Sequence, residues 1–353
     1  MPSSGVNYCA PTIIMKIRPY LYTLIFLLLA VMLSIAIGSV IIPPADLGRI
    51  LLGWLKGATF SDPLKTFAFI LTEIRLPRTA LVLLTGAALG GSGAAYQGLF
   101  RNPLADPYLI GVASGAGLGA VLAISVKWPY SFWGLLAVPV AAFIGALLTV
   151  FLVYALARVG KTIPTTNLIL AGVAFGSFAT ALTTYLMLRS TGELHRAIAW
   201  LSGGASQAGW EPVLAMLPFL VTGLGTLLLS GHALNLLQFG DDQAQQMGLS
   251  VTRTRTLILL AASLATAAAV SFSGIIGFIG LIVPHVIRLW FGADYRRLLP
   301  LSLIGGAGAL LLADVIARSV MRPQELPVGI VTALVGAPFF LWVLRRAKNQ
   351  GYW

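Results

Sequence analysis

Ten apolar runs of about 20 residues, separated by short polar or basic breaks, constrain this chain more than any other feature of its sequence. About 20 residues at helical rise cross the hydrocarbon core, whereas a membrane β-strand alternates apolar and polar residues over about 10 positions. The runs do not alternate and hold few ionisable groups, so we expect helices. The runs lie near 20–42, 76–98, 108–126, 133–157, 167–188, 212–231, 256–274, 276–291, 299–317 and 328–346. The predicted fold class is all-α, a polytopic membrane protein with about ten transmembrane helices in one domain over 1–353.

Composition agrees with a membrane protein and excludes other classes. Only 10% of the 353 residues are charged, against about 25% in soluble domains. The net charge of +12 could suggest nucleic acid, but the basic residues are dispersed and form no recognition motif. Cys9 is the only cysteine, which excludes an internal disulfide and a cluster held by several thiolates. We therefore expect membrane lipid around the chain and no nucleic acid.

The ends of the chain indicate its orientation. The first run follows Lys16 and Arg18 as in a signal peptide, but it is too long for one, and we interpret it as a retained span. An even number of spans places both termini on one side. Basic residues at both ends, among them Arg345 and Arg346, favour the cytoplasm and predict a multi-pass protein of the cytoplasmic membrane.

This orientation of the spans places many basic residues on the external side of the membrane: Arg49, Lys56, Lys65, Arg75, Arg78, Lys127, Arg189, Arg196, Arg318 and Arg322. A partner with an acidic face would explain them, because arginine forms planar paired contacts with carboxylates. Snorkelling of single arginines near helix ends is the other explanation, and for any one of them it is favoured.

The second and third runs are joined by a stiff polar elbow, Arg101 to Pro107, which indicates a transport pathway more than an anchor. Glycines recur every four residues at Gly86 and Gly90, and again from Gly111 to Gly119. Such spacing permits close helix packing in lipid, which we favour over ligand contact.

The longest polar segment, Gln238 to Leu249, falls on the cytoplasmic side. Asp241 or Asp242 can begin a short helix and Gly248 can end it, which suits docking of a soluble subunit. From the residues alone an ordinary loop is favoured. Gly160-Lys161-Thr162 is not a phosphate-binding loop, because Ala155 stands where the first glycine is needed. Any ATP must therefore be used by another polypeptide.

Few side chains could carry chemistry inside the spans. Asp314 lies four residues before Arg318, so a structural ion pair is favoured over proton coupling. His285 lies near no second ligand in sequence, which favours a hydrogen-bonded packing role over a metal site. His195 and His232 suggest no site.

Several motifs in order resemble one family. These are Ile74 to Arg78, Gln97 to Pro107, Gly277 to His285 and Glu325 to Gly329. Over nearly its whole length the chain resembles the FecCD-type permeases of type II ABC importers, which carry iron siderophores, haem and vitamin B12. The resemblance implies a permease that is not an enzyme and binds no cofactor or metal. It further implies two ATPase subunits that hold ATP and Mg, an external substrate-binding protein, and a second permease, with a homodimer expected and pairing with a similar chain left open.

The resemblance also assigns residues to roles. It implies that Arg75, Arg78 and Arg318 receive acidic residues of the binding protein, and that Asn102, Leu104, Thr165 and Thr166 form a cytoplasmic gate. It places the ATPase-coupling element within about 232–255. That element comprises Gly240, Asp241, Asp242, Gln243, Ala244, Gln245, Gln246, Met247, Gly248 and Leu249.

Two rival functions remain at this point. An ion-coupled secondary transporter would use Asp314 and a gradient, and a membrane enzyme or scaffold is the weakest candidate because clustered ligands are missing from the sequence. Among cargoes, ferric siderophore, haem and cobalamin all stay open, with a preference for an iron chelate on frequency alone.

Overall fold

The computed structural model describes residues 13–38, 42–55, 62, 64–126, 132–160, 164–189, 192–205, 209–321 and 324–350. Cys9, Lys56, Lys127, Lys161 and Arg322 lie outside them. The α-helices are α1 Ile13–Ala36, α2 Pro44–Leu55, α3 Leu64–Phe69, α4 Leu76–Leu99, α5 Val112–Ser125, α6 Phe132–Ala157, α7 Thr165–Arg189, α8 Leu194–Leu201, α9 Glu211–Leu229, α10 Gly231–Leu237, α11 Asp241–Gln246, α12 Val251–Ser273, α13 Ile279–Phe291, α14 Tyr295–Ser319 and α15 Val328–Gln350. A π-helical segment, Ile70–Arg75, joins α3 to α4, and a 3₁₀ turn, Pro107–Ile110, precedes α5.

The predicted all-α membrane fold is confirmed, and each predicted run coincides with a helix. Among the described residues, α1, α6, α7, α9, α12 and α14 are long and apolar enough to cross a membrane. The apolar helices α5 and α13 and the apolar part of α15, Val328–Val343, are shorter. The remaining predicted run, 76–98, corresponds to α4, which other helices of the protein surround.

The predicted end of the first run, at residue 42, is wrong. Helix α1 ends at Ala36, and α2 begins at Pro44. The carbonyls that lack intrahelical partners at this end accept hydrogen bonds from Arg75 of the π-helical segment and Arg318 of α14, so the chain can leave the helix there with its polar groups satisfied.

Helix α4 forms the centre of the fold and packs against α14, α12, α13 and α9. Most of its residues are buried. A Cβ atom at Gly86 would collide with the carbonyl of Gly306, and one at Gly90 would collide with the carbonyl of Ser302. The four-residue glycine spacing therefore brings the backbones of α4 and α14 into direct contact, as predicted.

Polar side chains of α4 bond to neighbouring helices instead of facing lipid. Ser92 donates to the carbonyl of Ala262 at 3.1 Å, and the hydroxyls of Tyr96 and Ser263 lie 2.7 Å apart. Gln97 donates to the carbonyl of Leu281 at 3.1 Å. Because these partners are protein groups, α4 can carry polar residues that a lipid-facing helix could not.

The elbow after α4 turns back towards the middle of the bundle. Asn102 accepts from the amide of Leu104 at 2.9 Å, and Asp106 accepts from the amide of Tyr108 at 2.8 Å. A Cβ at Gly280 would lie 2.9 Å both from the carbonyl of Leu89, about halfway along α4, and from Cδ of Pro107. The elbow thus re-enters the bundle to about the mid-depth of α4.

A second irregular segment, Gly274 to Phe278, separates α12 from α13, and Phe278 has a φ of 70°. The two irregular segments bond to each other. The Tyr108 hydroxyl donates to the carbonyl of Ile276 at 2.9 Å and accepts from its amide at 3.3 Å. Non-helical backbone at such depth is tolerated only where protein or a cavity satisfies its polar groups.

We predict that Gly90→Ala lowers the apparent melting temperature of the detergent-extracted protein by several degrees, because overpacking costs about 1–3 kcal/mol. The matched control is Gly225→Ala, whose Cβ meets nothing within 4 Å. That control should be neutral or slightly stabilising. Equal melting temperatures for the two variants would contradict the contact between α4 and α14.

Candidate functional site

The structure places candidate functional residues in three regions. One end of the bundle carries an arginine cluster, which we define as Arg75, Arg78, Asp314, Arg318 and Glu325 and call the arginine face. The opposite end carries α11, and we call it the α11 face. Between them a cavity adjoins the elbow.

On the arginine face, Asp314 is fully buried and lies between two guanidinium groups. Arg318 Nε lies 2.8 Å from Asp314 Oδ2, and Arg78 donates from Nε and Nη2 to Asp314 Oδ1 at 3.2 and 2.9 Å. The predicted Asp314–Arg318 ion pair is confirmed. Two cations on one buried carboxylate give it a structural role.

Arg75 and Arg318 also cap the end of α1. Arg75 Nη1 donates to the carbonyls of Ile35 and Ala36, and Arg318 Nη1 donates to the carbonyl of Ile37 at 3.1 Å. The last carbonyls of a helix have no partner within it and carry partial negative charge, so cations stabilise them. Both arginines are 4% exposed. Their predicted docking role stays a prediction, and their structural role here is additional to it.

Arg78 is the most exposed of the three arginines in the cluster, with 18% of its side chain exposed. Its Nη1 donates to Glu325 Oε2 at 2.7 Å. Arg78 therefore joins α4, α14 and the segment before α15 in one ion-pair network. Glu325 belongs to a motif of the sequence, but its pairing with Arg78 could not be predicted, because 247 residues separate the two.

The cavity between the elbow and α7 has a volume of about 720 Å³. Its walls consist mainly of small residues: Asp106, Tyr108, Leu109, Gly111, Ala113, Ser114, Gly172, Val173, Gly176, Ser177, Thr180 and Ala181. That volume lies within the range of about 300–1,000 Å³ typical of ligand sites. Of these lining residues, Asp106 alone is charged, and the hydroxyls of Ser114, Ser177 and Thr180 supply neutral polar groups.

The sequence marks Asp106 only as part of the elbow and of the Gln97–Pro107 motif, and it marks none of the α7 residues of this wall. Asp106 precedes Pro107, a pattern that signals a turn. Nothing local in the sequence shows that this turn returns to the middle of the bundle. The α7 residues of the wall are mostly small, and small residues in a span indicate close helix packing as much as a cavity wall.

The four predicted gate residues lie near the α11 face. Asn102 is exposed and Leu104 half-buried in the elbow, while Thr165 and Thr166 begin α7. Thr165 and Phe100 line one small cavity together. The structure thus brings the first turn of α7 beside the start of the elbow. Gating by these residues stays a prediction.

The α11 segment has the helix that was predicted. It begins at Asp241, and Gly240 and Gly248 have φ of 101° and 87°. Ala244 is fully buried and anchors the helix. Phe239 and Met247 are 63% and 48% exposed, beside exposed Asp242 and glutamines. This mixture of exposed apolar and polar groups suits contact with a soluble protein.

Four hydrogen bonds connect this segment to the ends of three long helices. Gln238 donates to the carbonyl of Gly98 at 3.0 Å, and Arg255 donates to Asp241 at 2.8 Å. Asn235 donates to Asp294 at 2.6 Å and accepts from the amide of Tyr295 at 2.8 Å. These bonds join α10 and its C-cap to α4 and to the start of α14, and they join α11 to α12.

Asp294 lies just before α14, outside the spans. Desolvation raises the pKa of Asp294, but hydrogen bonds from Asn235 and Arg296 outweigh it, so its pKa lies below its usual value. A lowered carboxyl pKa stabilises the fold above the unfolded-state value, and that contribution is lost as the pH falls through the folded-state value. The anchor of α10 on α14 is thus fully formed at neutral pH.

The histidines supply no visible ligand cluster. His285 is half-buried, and its ring centroid lies 6.5 Å from that of Phe339. Its ring packs as predicted. Among the described residues Nδ1 has no hydrogen-bond partner, and the hydrogen-bonded part of the prediction stays a prediction. His195 and His232 are exposed. Within the described ranges, no three His, Cys, Asp or Glu side chains are grouped so as to hold a metal ion.

We predict that Asp314→Asn lowers stability by roughly 3–5 kcal/mol, because it leaves Arg78 and Arg318 without their shared buried counter-charge. Thermal unfolding in detergent measures this. Asp46→Asn is the control, since it removes one carboxylate from a pair in which Arg49 is 69% exposed. That pair contributes about 0–1 kcal/mol. A stable Asp314→Asn protein would refute the structural role.

The sequence model of the FecCD transport family matches residues 26–346. The chain is 41% identical to the ABC transporter permease protein YvrB of Bacillus subtilis, over 94% of each chain. It is 46% identical to the cobalamin import system permease protein BtuC of Halobacterium salinarum, over 80% of this chain and 74% of that one. It is 42% identical to the hemin transport system permease protein HmuU of Yersinia pestis, over 79% and 84% of the two chains.

A solved structure also resembles the fold. It is a metal-chelate type ABC transporter in an inward-facing conformation, with a TM-score of 0.78 and 29% sequence identity. The likeness covers 93% of this chain and 98% of the other. The motifs singled out in the sequence and the whole helical arrangement therefore agree with the same group of proteins.

Proposed function

The chain belongs to the FecCD transport family, a group of ABC importer permeases, and we propose that it imports a bulky metal chelate across the cytoplasmic membrane at the expense of ATP. The observation that carries the proposal is the elbow, which returns to mid-depth and lines a cavity of about 720 Å³. Broken helices that meet a cavity at mid-membrane are typical of transporter substrate pathways.

The chemistry of the cavity suits passage more than tight binding. Its lining offers one carboxylate, several hydroxyls and many small side chains, which leave space for a large cargo. The permease performs no covalent step in this proposal, and selectivity lies mainly in an external binding protein. The relatives' names put cobalamin and haem first among candidate cargoes, with ferric siderophores next.

The energy comes from two copies of a separate ATPase subunit, which holds ATP and Mg. The exposed residues of Gly240 to Leu249 form its docking surface in this proposal. The connections from α10 and α11 to α4, α12 and α14 support this role, because ATPase closure can move the elbow through them. Orientation follows, with the α11 face and both termini in the cytoplasm.

A second permease completes the pathway. This chain lines the cavity with the elbow and α7, and α7 exposes Leu170, Val173, Phe178 and Leu188. An equivalent surface from another copy would enclose the cavity, so we propose a homodimer surrounded by lipid. Asn102, Leu104, Thr165 and Thr166 would then form the cytoplasmic gate.

On the external side, the arginine face receives a substrate-binding protein through carboxylates. Arg78 supplies the accessible guanidinium group, and Arg75 and Arg318 hold the supporting end of α1. Import proceeds by alternating access. ATP binding closes the ATPase pair, α11 moves, and the cavity changes the side to which it opens.

The test is uptake by proteoliposomes that contain this chain and its ATPase, with labelled cobalamin, haem or ferric siderophore and the matching binding protein. We expect uptake of one chelate that requires ATP and the binding protein and persists without an ion gradient. Uptake driven by a proton gradient without ATP would instead support a secondary transporter.

For the docking surface of α11, we predict that Met247→Asp weakens ATPase binding at least tenfold, because it buries a charge in an apolar contact. Affinity is measured by titrating the purified ATPase against the permease in nanodiscs. Ser250→Asp is the control, since Ser250 is exposed and precedes α12, where aspartate caps a helix well. Equal affinities for both variants would exclude α11 from the interface.

A further inference from the structure

Each of the three guanidinium nitrogens of Arg78 already donates to a carboxylate. Nε and Nη2 donate to Asp314 at 3.2 and 2.9 Å, and Nη1 donates to Glu325 Oε2 at 2.7 Å. The side chain of Asp314 is fully buried, whereas 38% of the Glu325 side chain is exposed. An approaching molecule therefore reaches Arg78 on the edge that Glu325 occupies.

The remaining cations of the cluster are not equivalent targets. Arg75 and Arg318 are 4% exposed and donate to carbonyls at the end of α1. Withdrawing either one would leave helix carbonyls without a donor. Arg78 loses only a half-exposed partner if Glu325 moves, so exchange is easiest there.

Glu325 lies between α14 and α15, next to a residue whose backbone is fixed. The amide of Leu326 donates to the carbonyl of Ala317 at 3.1 Å, which fixes the next residue against the end of α14. Pro327 precedes α15. The backbone at Glu325 is thus positioned, while its exposed side chain can rotate away from Arg78.

We propose that Glu325 is an internal substitute for a carboxylate of the docking protein, and that docking exchanges it for the partner's own carboxylate on Arg78. This inference rests on the proposed function. Three arginines against Asp314 and Glu325 leave the cluster with one net positive charge. Glu325 thereby keeps the cluster ordered when no partner is bound and weakens docking to a reversible level.

The rival explanation is that Glu325 only positions Arg78 for its partner. The two explanations predict opposite changes in docking affinity when Glu325 is neutralised. If Glu325 competes, its neutralisation strengthens docking, whereas if it only positions Arg78, neutralisation weakens docking.

The first experiment measures association of a binding protein with the permease in nanodiscs. We expect Glu325→Gln to tighten docking about threefold to tenfold, mainly through a faster association rate with a steeper salt dependence. Glu193→Gln is the matched control, because it removes the same charge from an exposed pair whose atoms are 3.8 Å apart. In an Arg78→Gln background, Glu325→Gln should have no effect. Weaker or unchanged docking would overturn the proposal.

The second experiment needs no partner. Phenylglyoxal modifies accessible arginines, and mass spectrometry reports the extent at each site. Glu325→Gln should increase modification of Arg78 several-fold, while Arg75 and Arg318 stay protected and Glu193→Gln changes nothing. Unchanged modification of Arg78 would refute the proposal that Glu325 covers this arginine. If no binding protein associates with the wild-type protein, the proposed function fails, and this measurement still decides whether Glu325 covers Arg78.

Discussion

The structure depends on one constraint, which is that backbone polar groups within lipid need partners from the protein itself. Helix α4 meets this constraint by lying inside the bundle, where glycines allow α14 to touch its backbone. Its polar side chains then bond to α12 and α13. Because α4 is shielded in this way, the chain can interrupt its helices next to α4 and line a cavity of small residues at depth.

Helix ends obey the same constraint. The last carbonyls of α1 receive donors from Arg75 and Arg318, and the end of α4 receives one from Gln238. In each case a side chain from a distant part of the sequence replaces water. The ends of the spans are thus fixed to each other, and both the arginine face and the α11 face are built from helix termini.

Much of this architecture can be predicted from the sequence. Hydrophobic length locates the spans, glycine spacing marks α4 as a closely packed helix without naming its partner, and Asp241 with Gly248 delimits α11. These signals are local. The Arg78–Asp314 pair, which joins residues 236 apart, and the depth of the elbow depend on packing between distant helices, so no short pattern contains them. Burial of Arg75 and Arg318 escaped prediction for the same reason, since charge alone suggests exposure.

The bond between Tyr108 and Ile276 has a further consequence. One phenol group contacts both the amide and the carbonyl of the same residue, much as one rung of a β-ladder would. Both contacts depend on a single oxygen atom, so a shift of the elbow by about one ångström would weaken them together. Movement of the elbow relative to the α12–α13 break therefore breaks two hydrogen bonds at once.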